Sequence, residues 1–195
     1  MSADERFAAD VYTVRQLFRP MVNLYEVTAD GRMVAFVRQK RMALKEDLRF
    51  FADDSEREEL FRIKARSVFE LGTRYDILAP DGGLIGAVQK RFRRSLLRST
   101  YDIIGAADTP VAWAQESSLL VSLLRRVIGI IPYGETVPIP YHFTIHVEDR
   151  TVGAVVRKWG VRDHYTLDLG DDPEPIVDRR IGVAIAVGLD AFQAR

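Results

Sequence analysis

The sequence predicts a mainly β protein: one closed barrel built around an apolar segment near its C-terminal end. Three observations point there. Short alternating apolar and polar segments recur along the 195 residues, separated by turn residues. Three pairs of them repeat one hairpin pattern, centred on Asp30, Asp81 and Asp149. Finally, the run from Ile181 to Leu189 has no charged or hydrogen-bonding side chain, so it must be surrounded on every side. It is too short to span a bilayer, which takes about 20 apolar residues. It therefore reads as a plug at the centre of the domain.

In each repeat a strand precedes the aspartate. A second strand follows, with a small residue (Ala35, Gly86, Ala154), a valine two positions on (Val37, Val88, Val156), and then a basic run. Repeated hairpins build one sheet system, which points to a single barrel rather than separate domains. The small residue marks a crowded inward position, against the plug or at a barrel corner. The plug itself fits two periods. Ile181, Val183, Ile185, Val187 and Leu189 alternate with Gly182, Ala184, Ala186 and Gly188, as in a strand. Equally, Asp178 is placed to cap a helix, and no turn signal follows before Ala194.

Taken in order, residues 1–19 read as an N-terminal arm or short helix. Val11, Val14, Leu17 and Phe18 recur at helical spacing until Pro20. The barrel domain is expected over 20–195. Its first hairpin is Leu24–Val27 and Met33–Val37 about Asp30-Gly31. Residues 46–59 are acidic and polar, with a turn or loop at Asp53–Glu56. A strand over 60–65 follows, then a hairpin of 75–78 and 84–90, and strands over 99–104 and 111–115. Ser117 or Ser118 is placed to cap an apolar helix that ends near Gly129, and prolines 132, 138 and 140 mark a loop. The third hairpin is 142–147 with 152–159. A last strand, 165–169, leads through an acidic linker to the plug.

The chain has 28 basic and 28 acidic residues, so no global field draws it to nucleic acid or membrane, and any such binding must be local. It has no cysteine, which excludes disulfides and thiolate chemistry. The polar, acidic first ten residues are unlike a signal peptide, and a cytoplasmic location is expected. No dinucleotide fingerprint, P-loop or nucleophile elbow occurs, so no catalytic residue and no cofactor are assigned. Among the histidines, His142 and His146 lie roughly 13 Å apart along a strand at about 3.3 Å per residue, too far to share a metal ion. No metal site is expected. Asp168, Asp171 and Asp172 form a small acidic cluster of the solvated kind.

The Asp81–Lys90 hairpin, the Val152–Trp159 strand and the terminal segment Asp178–Asp190 together resemble the LURP-one-related family, over roughly residues 20–192. That family is grouped with the phospholipid scramblases in the tubby C-terminal-like superfamily. The resemblance implies a tubby-like closed β-barrel wrapped around a central apolar helix, and so selects helix for the segment near 178–192. It also implies a connection with membranes, since tubby domains bind phosphoinositides through a basic surface patch. Scramblase activity is not implied: the cysteines and the acidic calcium loop associated with it have no counterpart here.

Two surfaces are candidates for function. The first is basic: Lys90, Arg91, Arg93, Arg94 and Arg98, interleaved with Phe92, Leu96 and Leu97, together with Lys40 and Arg41 at the equivalent place in the first repeat. Guanidinium groups pair with phosphate while neighbouring apolar residues touch the acyl boundary. If the hairpins lie side by side, these ends converge on one rim facing anionic phospholipid, and the protein sits peripherally at the membrane. The commoner role for such charges is a solvated barrel edge. Nucleic acid is not an expected partner. The second surface is the apolar 117–131 segment, with Leu120, Leu124, Arg125 and Arg126; it suits a membrane interface, a cover over the barrel mouth, or a protein partner or homo-oligomer in a scaffold role, core packing or an oligomer contact being the commoner outcome.

Overall fold

A computed structural model describes residues 3–19, 22–40, 47–66, 74–91, 99–117, 142–158, 164–172 and 174–193. After a single helical turn, α1 (Ala3–Arg6), twelve strands follow. They are β1 (Val11–Arg19), β2 (Val22–Ala29), β3 (Arg32–Lys40), β4 (Asp47–Phe51), β5 (Glu59–Ala65) and β6 (Arg74–Leu78). The second half comprises β7 (Leu84–Lys90), β8 (Thr100–Ile104), β9 (Pro110–Glu116), β10 (His142–Val147), β11 (Arg150–Lys158) and β12 (His164–Asp168). The chain ends in α2 (Arg179–Gln193). Each strand pairs antiparallel with its neighbours in sequence, and β1 pairs with β12 from Val11↔Asp168 to Arg15↔His164. The sheet is therefore a closed up-and-down barrel with no free edge.

Closure explains why the plug is a helix. A segment inside a closed barrel finds no strand edge to pair with, and its buried N–H and C=O groups must be satisfied within the segment itself. Only a helix does that. Barrel width explains its composition. Twelve strands enclose more space than their own side chains fill, whereas eight fill theirs. The inward rings of Tyr12, Phe50, Phe61, Tyr75, Tyr101, Phe143 and Tyr165 are all fully buried and narrow that space. What remains admits a slim helix, and Gly182, Ala184 and Ala186 supply one. A Cβ on Gly182 would lie 2.8 Å from Leu169 Cδ1 and 3.2 Å from Leu167 Cδ2. Ile181, Val183, Ile185 and Val187 fill the gaps between strands, each no more than 3% exposed.

The helix starts as its sequence indicates. Asp178 Oδ1 accepts the Arg180 N–H at 2.8 Å, and the Asp178 carbonyl accepts those of Ile181 and Gly182 at 2.9 and 3.2 Å. Arg179 ties this end to the barrel, donating to Asp172 Oδ2 at 3.2 Å and to Asp10 Oδ1 at 2.7 Å. Beside it, burial pushes the Tyr12 hydroxyl up to about 12, opposed in part by the Arg179 charge. A free tyrosine titrates near 10. Between these values the unfolded chain gives up the proton and the folded chain keeps it, so stability falls as pH rises through that window. Tyr12→Phe should flatten this alkaline loss. Urea midpoints taken between about pH 9 and pH 12 on both proteins would check it, and parallel slopes would refute it.

Two sequence expectations need correction. Residues 11–19 are not an arm or helix but strand β1, and the barrel begins at Val11 rather than residue 20. Tyr12 and Val14 point inward and are fully buried, whereas Val11 is 46% exposed. The helical spacing of the valines was incidental to a strand whose inward series begins at Tyr12. The acidic stretch 46–59 also contains a strand, β4, with Leu48 and Phe50 buried inside and Phe50 stacked on Phe61 at 4.1 Å. The apolar 117–131 segment lies outside the described residues except for Ser117.

The repeat is present with a shifted register. All five tight hairpins carry a β-bulge beside the turn. In four, a small residue sits opposite a large one at the pair before the bulge: Val27↔Ala35, Ile77↔Gly86, Ile103↔Ala112 and Ile145↔Gly153. The crowded position of the third hairpin is thus Gly153, while Ala154 is half-buried. Asp30 is the first of two turn residues and Asp149 the second, so aligning the aspartates shifts the pattern by one. Crowding against the plug is the explanation that holds at Gly86. A Cβ there would meet Ile181 of the plug and lie 2.5 Å from the Ile104 carbonyl of the next strand.

Candidate functional site

Strand alternation gives the barrel two unlike ends. Odd-numbered strands run toward one end, where they join the next strand through residues 20–21, 41–46, 66–73, 91–99, 117–141 and 159–163. The sequence of these connections holds ten basic and four acidic residues. The tight turns, the 3–10 segment and the approach to α2 belong to the opposite end. Those segments hold sixteen acidic residues against two basic ones, Arg6 and Arg57. By sequence the two sets of connections therefore differ in charge; of the ten basic residues, Arg66 and Arg91 are among the described residues, and at the acidic end Arg32, Arg150, Arg179 and Arg180 open the adjoining strands and helix. The helix follows the same sense, with its N-terminal partial positive charge at the acidic end.

The three repeat hairpins do not lie side by side. β2–β3, β6–β7 and β10–β11 are separated by β4–β5, by β8–β9 and by β12–β1. Their basic ends share one end of the barrel but are spaced around its circumference. Among the predicted residues, Lys40 closes β3 and pairs with Val22. Lys90 closes β7 opposite Tyr101 and so takes the inward face; it is half-buried and engaged with neighbouring groups. Arg91 is held by Asp102, its Nε 2.6 Å from Oδ1. Arg41, Arg93, Arg94, Arg98, Leu120, Leu124, Arg125 and Arg126 lie outside the described residues.

Sequence reading missed a polar lining at this mouth. Cross-strand pairs share a face, so Gln16, Asn23, Gln39, Lys90, Glu116 and Arg157 all take inward positions beyond the aromatic layer. Gln39 Oε1 accepts from Asn23 Nδ2 at 3.0 Å and from the Tyr25 hydroxyl at 3.4 Å. The Arg157 guanidinium lies 5.9 Å from the centre of the Tyr165 ring, within cation–π range. Glu116 is 1% exposed. The signal for this layer was the inward parity of each strand's last residues, readable only once register is known.

Outside, the strands carry charge: Arg15 with Glu26, Arg49 with Asp47 and Arg66 with Asp76 form ion pairs on the wall. This is the reverse of a barrel whose outer face meets lipid. No helix among the described residues is long and apolar enough to cross a membrane. On the same wall His146 stacks on Trp113 at 4.1 Å, and burial lowers its pKa. The acidic cluster is structural in part. Asp168 Oδ1 accepts the Gly170 N–H at 2.9 Å, while Asp172 accepts the Val177 N–H and the Arg179 guanidinium. No family model matches the chain, and no curated protein matches its sequence.

Proposed function

We propose that this chain is a non-catalytic domain of the LURP-one-related, tubby-like kind, and that it binds anionic phospholipid headgroups at the basic end of its barrel, peripherally at a membrane surface. The observation that supports this reading is in the sequence of the connections: those that follow odd-numbered strands carry ten basic and four acidic residues, whereas the turns, the 3–10 segment and the approach to α2 carry sixteen acidic and two basic ones. Near an anionic surface such a molecule is attracted at one end and repelled at the other, so it approaches with its axis along the membrane normal. The occupied interior also supports a binding role, because the space where a barrel enzyme would hold substrate is taken by α2.

Co-sedimentation with vesicles tests the proposal. Binding should require phosphoinositide or cardiolipin, be absent on neutral lipid, and weaken between low and physiological salt. Each basic residue near such a surface is worth about 1 kcal/mol, so Arg93→Glu with Arg94→Glu should weaken binding by roughly thirtyfold or more. Failure to bind at low salt would overturn the reading. Unchanged binding by the double variant would remove the 91–98 cluster from it.

A further inference from the structure

The sequence holds two Asp-Gly pairs, Asp30-Gly31 and Asp81-Gly82, and the fold sets both at exposed hairpin turns. In such a pair an aspartate can react with its own backbone. The nitrogen of the next residue attacks the side-chain Cγ, and glycine has no Cβ to shield that nitrogen. The space beside both glycines is open, with nothing within 4 Å of an added Cβ, so crowding protects neither. Hydrogen bonding separates them. At the β6–β7 turn both reacting groups are engaged: the Gly82 N–H donates to the Ala79 carbonyl at 2.9 Å, and Asp81 Oδ1 accepts the Gly83 N–H at 2.9 Å. Attack there must first open both bonds. At the β2–β3 turn, no hydrogen bond or ion pair among the described residues engages the Asp30 carboxylate, and no backbone acceptor takes the Gly31 N–H.

We infer that Asp30 is a self-modification site of the folded protein, converting to isoaspartate through a succinimide, and that Asp81 is protected by its turn. In the first step the Gly31 nitrogen bonds to Asp30 Cγ. One carboxyl oxygen departs as water, carrying the amide proton and a proton from solvent. In the second step water adds to one of the two ring carbonyl carbons and breaks its bond to nitrogen. Opening at Cγ restores aspartate. Opening at the former main-chain carbonyl leaves the backbone running through Cγ, with the old carbonyl now a free carboxylate. The water lost is regained, so mass and charge are unchanged. The product also removes a strain: Asp30 has φ 51°, a left-handed conformation that residues with a Cβ rarely adopt. The added backbone atom falls beyond Ala29↔Arg32, the last pair of a ladder that extends to Val22↔Lys40, so the strands need not part to accept it. The site is independent of any lipid surface.

Timed incubation of the full chain at neutral pH, native and in guanidinium chloride, provides the test. Trypsin places the two pairs on separate peptides, residues 16–32 and 75–90. Isoaspartate appears as a change of chromatographic retention at unchanged mass, and electron-transfer fragmentation locates it. In the native protein Asp30 should convert roughly tenfold or more faster than Asp81, the effect of two hydrogen bonds that must open before attack. In guanidinium chloride, where neither turn persists, the two should convert at similar rates. Asp30→Asn with Asp81→Asn as its counterpart gives a second measurement. Asparagine tolerates the left-handed turn, and the same attack now expels ammonia, so conversion is read as a gain in mass. The native Asp30→Asn chain should gain it faster than the native Asp81→Asn chain. Equal rates at the two sites in the native protein, faster reaction at Asp81, or a native Asp30 that stays intact while the denatured chain reacts would overturn the inference.

Discussion

Truncation after Asp178 is expected to yield a chain that does not fold. Ile181, Val183, Ile185 and Val187 are each no more than 3% exposed, and they pack on the inward faces of strands around the ring. Full burial of such a side chain contributes roughly 1.5–3 kcal/mol, so these four contribute about 6–12 kcal/mol. Whole domains are stable by only about 5–15 kcal/mol. The wall cannot collapse to recover the loss, because its circumference is fixed by twelve paired strands. Near-ultraviolet circular dichroism and thermal melting would show it: the truncated chain should lack a fixed aromatic signal and a cooperative transition. Supplying residues 178–195 as a separate peptide should restore both in part. A truncated chain that melts cooperatively with a native aromatic spectrum would mean that the wall stands without its plug.

Gly86→Ala is the second large effect. Adding one carbon to an exposed strand glycine is ordinarily neutral or favourable. Here the carbon would meet the Ile181 side chain and the Ile104 carbonyl together. The isoleucine can rotate away, but the carbonyl belongs to the β7–β8 ladder, where Ala87 pairs with Ile104. Relief therefore requires parting two strands or shifting the helix, and overpacking of this kind costs about 3 kcal/mol. Pairing the change with Ile181→Val should recover only part of the loss, which a double-mutant cycle in urea would read directly. A loss below about 1 kcal/mol would show that neither contact is rigid. The alanines already present at Ala35 and Ala112, in the same place on their own hairpins, mark where the wall has room for that carbon.

Most of the wall was legible because its signals were local. Asp30-Gly31 reads as a hairpin turn, and both residues have positive φ, at 51° and 73°. The plug was legible as a buried segment because nothing polar interrupts it. Its secondary structure was not, since the alternation of large and small residues that imitates a strand serves to thin a helix. β1 was misread because it has no local turn partner on one side: its closing partner β12 is about 150 residues away, and that pairing is a tertiary event. β4 escaped notice because five residues beside a run of carboxylates are too few to establish alternation. The candidate site divides the same way. Basic runs are visible in the sequence, but their spacing around the barrel and the inward position of Lys90 depend on strand order and register.

Closure of β1 on β12 also sets an order of events during synthesis. The first strand must wait, with Tyr12 and Val14 uncovered, until Asp168 has been made. The plug follows later still, since Arg179–Gln193 lies C-terminal to β12. At roughly 5–20 residues per second, all twelve strands have been synthesised a few seconds before the segment that fills them. A nascent chain therefore passes through a stage in which the apolar inward residues of its strands lack the segment they pack on, and its longest-range pairing is also among its last, the pattern associated with slow folding. Any chaperone requirement of this protein should be greatest in that interval, and pausing synthesis just after Asp168 should lengthen it.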